Sequence, residues 1–172
     1  RRAIELLVEA GIRDGILLLG YDADAERDLF RSDTVAARVR GISAAMSDAG
    51  ASFLHEESIW LWEPAPGYEF TARLLNDGMR PRAIVCLNDR LAFGALQALG
   101  DAGLRVPEDV SLVSFDNDEL AAYLRPGLTT IGLPHEEMGR RAVELLLMPG
   151  GPPVGRHLVD MPVVVRESIQ PR

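Results

Sequence analysis

Three apolar runs in this sequence end in polar residues able to bind a hydroxyl-rich molecule. Tyr21-Asp22 follow Gly15-Ile16-Leu17-Leu18-Leu19-Gly20, and Asn88-Asp89 follow Ala83-Ile84-Val85-Cys86-Leu87. Asp116-Asn117-Asp118 follow Val110-Ser111-Leu112-Val113-Ser114-Phe115. Carboxylates accept hydrogen bonds from hydroxyls, an amide donates and accepts, and arginine donates from a planar fork. Arg38 could supply that fork, and Trp60 or Trp62 a flat apolar wall. Each residue also has an ordinary reading. Asp and Asn are common in loops and helix caps, which suits Asp22 best; Asp89 and Asp116 follow central runs and suit a site better. Arg38 could equally be a surface arginine lying along its helix, and either tryptophan could serve only the core.

For these groups to meet, the runs must be neighbouring parallel strands, whose carboxyl ends open on one side of a sheet. Unalternating runs of this kind fit strands buried on both faces. Between them the period changes. Ala3, Ile4, Leu7 and Val8 mark a first helix ending near Gly11; Val35, Val39, Ile42 and Met46 mark another, closed by Gly50. A strand is expected within 52–61, then a Pro64-Ala65-Pro66-Gly67 turn and a helix carrying Phe70, Leu74 and Leu75. Asn88 or Asp89 could cap the next helix, expected over 90–99. These βα units describe a parallel sheet.

From residue 126 the pattern changes. A strand over 128–133 leads to Pro134, which pre-sets a helix start. That helix has Glu136 and Glu137 in its first turn and is expected to bury Met138, Ala142, Leu145 and Leu146. A last strand over 157–166 belongs at a sheet edge, because prolines lie close by.

Composition narrows the function. Eighteen Lys and Arg against 26 Asp and Glu give a formal charge of −8, which repels a phosphate backbone and argues against nucleic-acid binding by these residues. No run approaches the ~20 apolar residues of a membrane span. Cys86, the single cysteine, sits in an apolar run and reads as a buried structural thiol. No HExxH, CxxC, P-loop or G-x-S-x-G motif occurs, His55, His135 and His157 are scattered, and Asp116-Asn117-Asp118 alone is a weak cation site. The residues therefore call for no cofactor and no metal. The chain starts at Arg1, inside or at a helix, which suggests a fragment or a trimmed domain.

Several segments together carry a family resemblance. Arg38-Val39-Arg40-Gly41, the stretch from Ala83 to Leu96, the stretch from Pro107 to Asn117, Leu128-Thr129-Thr130-Ile131 and Met138-Gly139-Arg140-Arg141-Ala142-Val143 occur in an order that resembles the effector-binding domain of LacI/GalR transcriptional regulators. The resemblance covers nearly the whole chain. It implies an α/β fold with a Rossmann-like parallel sheet flanked by helices, the C-terminal lobe of a type I periplasmic-binding-protein-like architecture. Residues 1–125 would form the main body of that lobe, 126–156 would cross toward the N-terminal lobe, and 157–172 would return. About 160 further residues are expected upstream on the family plan.

The resemblance also implies roles. Arg38 would grip ligand hydroxyls or a carboxylate, Asp116 would accept hydroxyls, Asn88 would contact effector, and Trp62 would stack on a ring. Asp89 and Asp118 would stand behind them. The partners implied are a small polar effector such as a sugar, operator DNA through an N-terminal head, and a second copy in a cytoplasmic homodimer. Two features depart from the family: Leu133 stands where some members have a glutamine, and Trp60-x-Trp62 is an uncommon form. A periplasmic-type solute-binding protein and a small-molecule hydrolase remain alternatives, the latter lacking a nucleophile–base pair.

Overall fold

The computed structural model describes residues 1–21, 33–151 and 154–170. The chain alternates helix and strand: α1 (Arg2–Glu9), β1 (Ile16–Tyr21), α2 (Asp33–Asp48), β2 (Phe53–Ser58), α3 (Pro64–Asn76), β3 (Ala83–Cys86), α4 (Asp89–Asp101) and β4 (Ser111–Asp116). A short 3-10 turn (Glu119–Ala122), β5 (Thr129–Gly132), α5 (His135–Leu146) and β6 (Val163–Val164) complete it. The sheet runs β2-β1-β3-β4-β5-β6, with the first five strands parallel and β6 antiparallel. Strand order reverses between β1 and β3, the place where open α/β sheets leave a crevice beyond their carboxyl ends.

The apolar runs are strands because both faces are covered. On one side Leu17, Leu19, Ile84, Cys86 and Leu112 join a core with Leu74, Leu91 and Leu99 of α3 and α4. On the other, Ile16, Leu18, Val85, Val113 and Phe115 meet Ile4 and Leu7 of α1 and Ile42 and Met46 of α2. Cys86 lies in the first core, and burial pushes its thiol pKa far up, which keeps it protonated and unreactive.

Three details differ from the sequence expectation. The Pro64-to-Gly67 stretch is the first turn of α3 rather than a separate turn. Prolines are at home there because the first helical amides have no carbonyl to bond within the helix; the helical ladder opens with the Gly67 amide on the Glu63 carbonyl at 3.2 Å. Second, α5 buries none of its residues, and Met138 and Leu146 are 44% and 76% exposed. Its apolar stripe borders an open cavity of about 320 Å³, lined by Met138, Ala142 and Leu145 with Leu133, Leu158 and Met161. Third, the expected strand over 157–166 shrinks to Val163–Val164. Pro162 contributes a carbonyl to the Gly132 amide at 2.7 Å but has no N–H to return. Beyond Val164 the chain leaves the ladder, and the Arg166 amide turns to the Thr129 hydroxyl.

α3 and α4 touch backbone to backbone. A Cβ on Gly94 would lie 1.9 Å from the Pro64 carbonyl oxygen and 2.5 Å from the Tyr68 nitrogen, and one on Gly67 would lie 2.3 Å from the Leu91 carbonyl oxygen. This close approach fixes α4 and, at its amino end, Asn88 and Asp89. Gly94→Ala should lower unfolding stability by about 1–3 kcal/mol in a urea titration. Gly100→Ala on the same helix, with open space around it, should be neutral or stabilising by up to about 1 kcal/mol.

Candidate functional site

Arg38 stands one helical turn before Ile42, so both lie toward the sheet side of α2. Its side chain is only 8% exposed, and a buried guanidinium needs partners. It finds them at two strand ends. Nη1 donates to the Leu87 carbonyl after β3, and Nη2 donates to Asp116 Oδ1 at the end of β4 at 3.0 Å. The Phe115 ring centroid lies 4.6 Å from Cζ and the Trp62 centroid 5.9 Å. Arginine favours such faces because its weakly hydrated plane meets the negative face of the ring. Among the described residues Arg38 thus engages its two terminal nitrogens, and Asp116 meets it through Oδ1.

Trp62 donates Nε1–H to the Ile59 carbonyl at 2.9 Å, which sets the indole plane. Its own carbonyl accepts from Asn88 Nδ2 at 3.2 Å. Asn88 is buried, and its Oδ1 accepts from the Leu91 amide at 2.9 Å as the cap of α4. The amide therefore fastens the tryptophan segment to a helix start. Trp60 points outward and is 78% exposed.

Asp116 and Asn117 have φ of +101° and +56°, a region costly for side-chain-bearing residues. The bonds that hold them there converge on Asp89. This carboxylate, 1% exposed, accepts from the Ser114 hydroxyl, from Thr130 Oγ1 at 2.8 Å and from the Asp118 amide at 2.6 Å. Thr130 Oγ1 also accepts from the Asn117 amide at 3.3 Å, and the Asp116 carbonyl accepts from the Leu133 amide at 3.0 Å. Asp118 caps the 3-10 turn by accepting from the Leu120 amide at 2.9 Å.

Arg38, Trp62, Asn88 and Asp116 thus form one connected cluster, with Asp89 and Asp118 behind it. Asp22 lies outside the described residues. Leu133 contributes its amide to Asp116, while its side chain lines the α5 groove. Phe115, Ser114 and Thr130 were not singled out from sequence. They lie in unalternating strand runs, a pattern that signals only burial. Among the described residues no group of His, Cys, Asp and Glu is placed to hold a metal.

With that geometry in hand, the likeness to known proteins is specific. The sequence profile of the periplasmic binding protein-like domain matches residues 4–169. The chain belongs to this family. Within it, the chain groups with LacI/GalR-type regulators. The HTH-type transcriptional repressor PurR of Proteus mirabilis (strain HI4320) is 37% identical over 145 residues, 82% of this chain and 39% of that protein. The lactose repressor bound to the anti-inducer ONPF in the induced state superposes with a TM-score of 0.86 at 28% identity, over 99% of this chain and 61% of that one. A LacI family regulator from Enterococcus faecium with bound ribose gives 0.78 at 26% identity, over 99% and 61%. The chain spans 34% of the length of the PurR repressor of Aliivibrio fischeri (strain MJ11) and 50% of that of Glaesserella parasuis serovar 5 (strain SH0165).

In this periplasmic binding protein-like lobe the cluster lies at the carboxyl ends of β3 and β4. Burial raises the Asp89 pKa above its ordinary 3.8; the Ser114 and Thr130 hydroxyls and the Asp118 amide oppose this, and the Asp116 charge adds to it. A carboxyl whose folded pKa is raised contributes most to stability below 3.8 and loses that contribution as pH climbs through the raised value. Asp89→Asn removes the titration and leaves one N–H facing a donor. It should cost about 1–3 kcal/mol, and the gap to the parent should be widest near pH 3.5 and narrower at pH 7. Urea unfolding across that range checks both.

Proposed function

We propose that this chain is the effector-sensing part of a cytoplasmic DNA-binding transcriptional regulator and that Arg38 and Asp116 hold a small polar metabolite, with a sugar as the best fit. The observation that carries the reading is the Arg38–Asp116 pair at the carboxyl ends of β3 and β4, its arginine buried and flanked by the Phe115 and Trp62 rings and its carboxylate one-third open to solvent. A guanidinium and a carboxylate side by side offer donors and acceptors to adjacent hydroxyls, and Trp62 supplies an apolar face. Asn88 contributes by holding Trp62 and α4, and Asp89 and Asp118 by holding the Asp116 turn. The ribose-bound E. faecium regulator supports the sugar class, and the HTH-type repressors support an operator-binding head in the complete gene product.

In the same proposal residues 1–125 are the main body of the effector lobe, 126–156 cross toward a second lobe, and 157–172 return. β5 lies within the crossing segment yet still belongs to this sheet. The uncovered apolar stripe of α5 suits an element that meets another lobe. Effector binding would shift a two-state equilibrium of the homodimer, to the extent that the two states differ in affinity for it.

The test is calorimetric titration of the complete gene product with a panel of pentoses, hexoses and purine bases, followed by an operator mobility shift. Arg38→Ala and Asp116→Ala should each weaken the binding found by roughly 10- to 150-fold, the worth of a hydrogen bond to a charged group. Unchanged affinity in folded variants, or no saturable binding across the panel, would overturn the assignment.

A further inference from the structure

The last described segment reaches back to the turn behind Asp116 through one side chain. Arg166, just beyond β6, donates Nη1 to the Leu128 carbonyl at 2.7 Å and Nη2 to Asn117 Oδ1 at 2.9 Å. Its backbone amide donates to Thr129 Oγ1 at 2.9 Å. One residue therefore grips both the entry to β5 and the side chain of Asn117, the second left-handed residue of the turn. Asn117 Oδ1 lies outside the Asp89 network, so Arg166 is a separate restraint on the same turn. The contacts span 37 to 49 positions in sequence, and they join the segment that follows α5 to the residue that follows Asp116.

We propose that Arg166 is a positioning residue for effector binding: by holding Asn117 it keeps the strained turn aimed so that Asp116 meets Arg38 and the ligand. The inference rests on the effector reading of Arg38 and Asp116 and adds a route by which the segment returning from α5 sets the geometry of that contact. A guanidinium suits the task best, because a planar fork can reach the Leu128 carbonyl and the Asn117 amide oxygen together, whereas an ammonium is a single point that serves one of them well. Asn117 is chemically apt as well, since asparagine tolerates left-handed backbone better than most residues and offers an acceptor from its side chain.

The experiment is a double-mutant cycle on the complete gene product, titrated with the pentose, hexose or purine base that the panel identifies, with a melting temperature recorded for each variant. Arg166→Ala should weaken binding about 3- to 30-fold, the range of couplings transmitted through packed networks, and Arg166→Lys should recover part of the loss. In an Asp116→Ala background the further loss from Arg166→Ala should vanish, because neighbours acting through one contact are not additive. A purely structural role would lower the melting temperature equally in both backgrounds and leave the affinity effects additive; additive effects overturn the proposal. If Arg166→Ala does not fold, Asn117→Gly, which deletes the acceptor while keeping its φ accessible, must show the same loss and the same non-additivity. Should Asp116→Ala weaken binding while Arg166→Ala and Asn117→Gly do not, this inference fails and the effector reading stands. Should Asp116→Ala leave affinity intact, both fail.

Discussion

A carboxylate taken out of water must be given back the hydrogen bonds it has lost, and at Asp89 the donors come from three places in the chain. Ser114 lies within β4, Thr130 within β5, and the Asp118 amide in the turn between them. Asp89 itself is the first residue of α4, at the end of the loop from β3. One side chain thus clamps a helix start, two adjacent strands and their connection. Removing any donor would leave a buried acceptor unmet, which is why such networks hold all their members or fail together. The left-handed geometry of Asp116 and Asn117 can persist because this clamp over-determines it.

The clamp matters because it aims a charge. Asp116 faces Arg38, a cation with little access to water that is flanked by two aromatic faces. On the proposed reading, a ligand hydroxyl arriving here would meet dipoles and charges already oriented, which lowers the reorganisation that binding requires. On the same reading the arrangement would also select, because a paired arginine and carboxylate suit a neutral polyol that can accept from one and donate to the other. Stacking on Trp62 would add a preference for a ligand with a flat or apolar face.

Much of this was legible in the sequence, and the exceptions have physical causes. β1, β3 and β4 were readable because strands covered on both faces leave unbroken apolar runs, and their polar ends were readable because parallel strands align those ends. Arg38, Trp62, Asn88 and Asp116 meet in one cluster as expected, yet Asn88 spends both ends of its amide on a cap and on Trp62. Composition could not divide the labour between Asn88 and Asp89, since either can cap; three donors around Asp89 decide it. Pro64 looked like a turn residue because the same missing N–H suits turns and first helical turns alike. The α5 periodicity was real, but periodicity reports which face is apolar and not whether anything lies over it. Arg166 was invisible because nothing local marks a side chain whose partners lie 37 to 49 residues away.

The path of the chain explains why that distant contact counts. It leaves the sheet at β5, forms α5, and re-enters at β6, so any displacement of α5 is felt first at the two junctions. The outgoing junction is Leu133, whose amide bonds the Asp116 carbonyl. The incoming one ends at Arg166, whose guanidinium bonds Asn117. Both therefore terminate on the same strained turn, one on Asp116 and the other on Asn117. Interior packing does not deform continuously, so a turn held by Asp89 from within and by these two junctions from without has few arrangements open to it. If Asp116 holds an effector as proposed, a ligand that prefers one of them would bias the junctions, and a partner that moved α5 would bias the turn by the same free energy, because coupling between two sites is reciprocal.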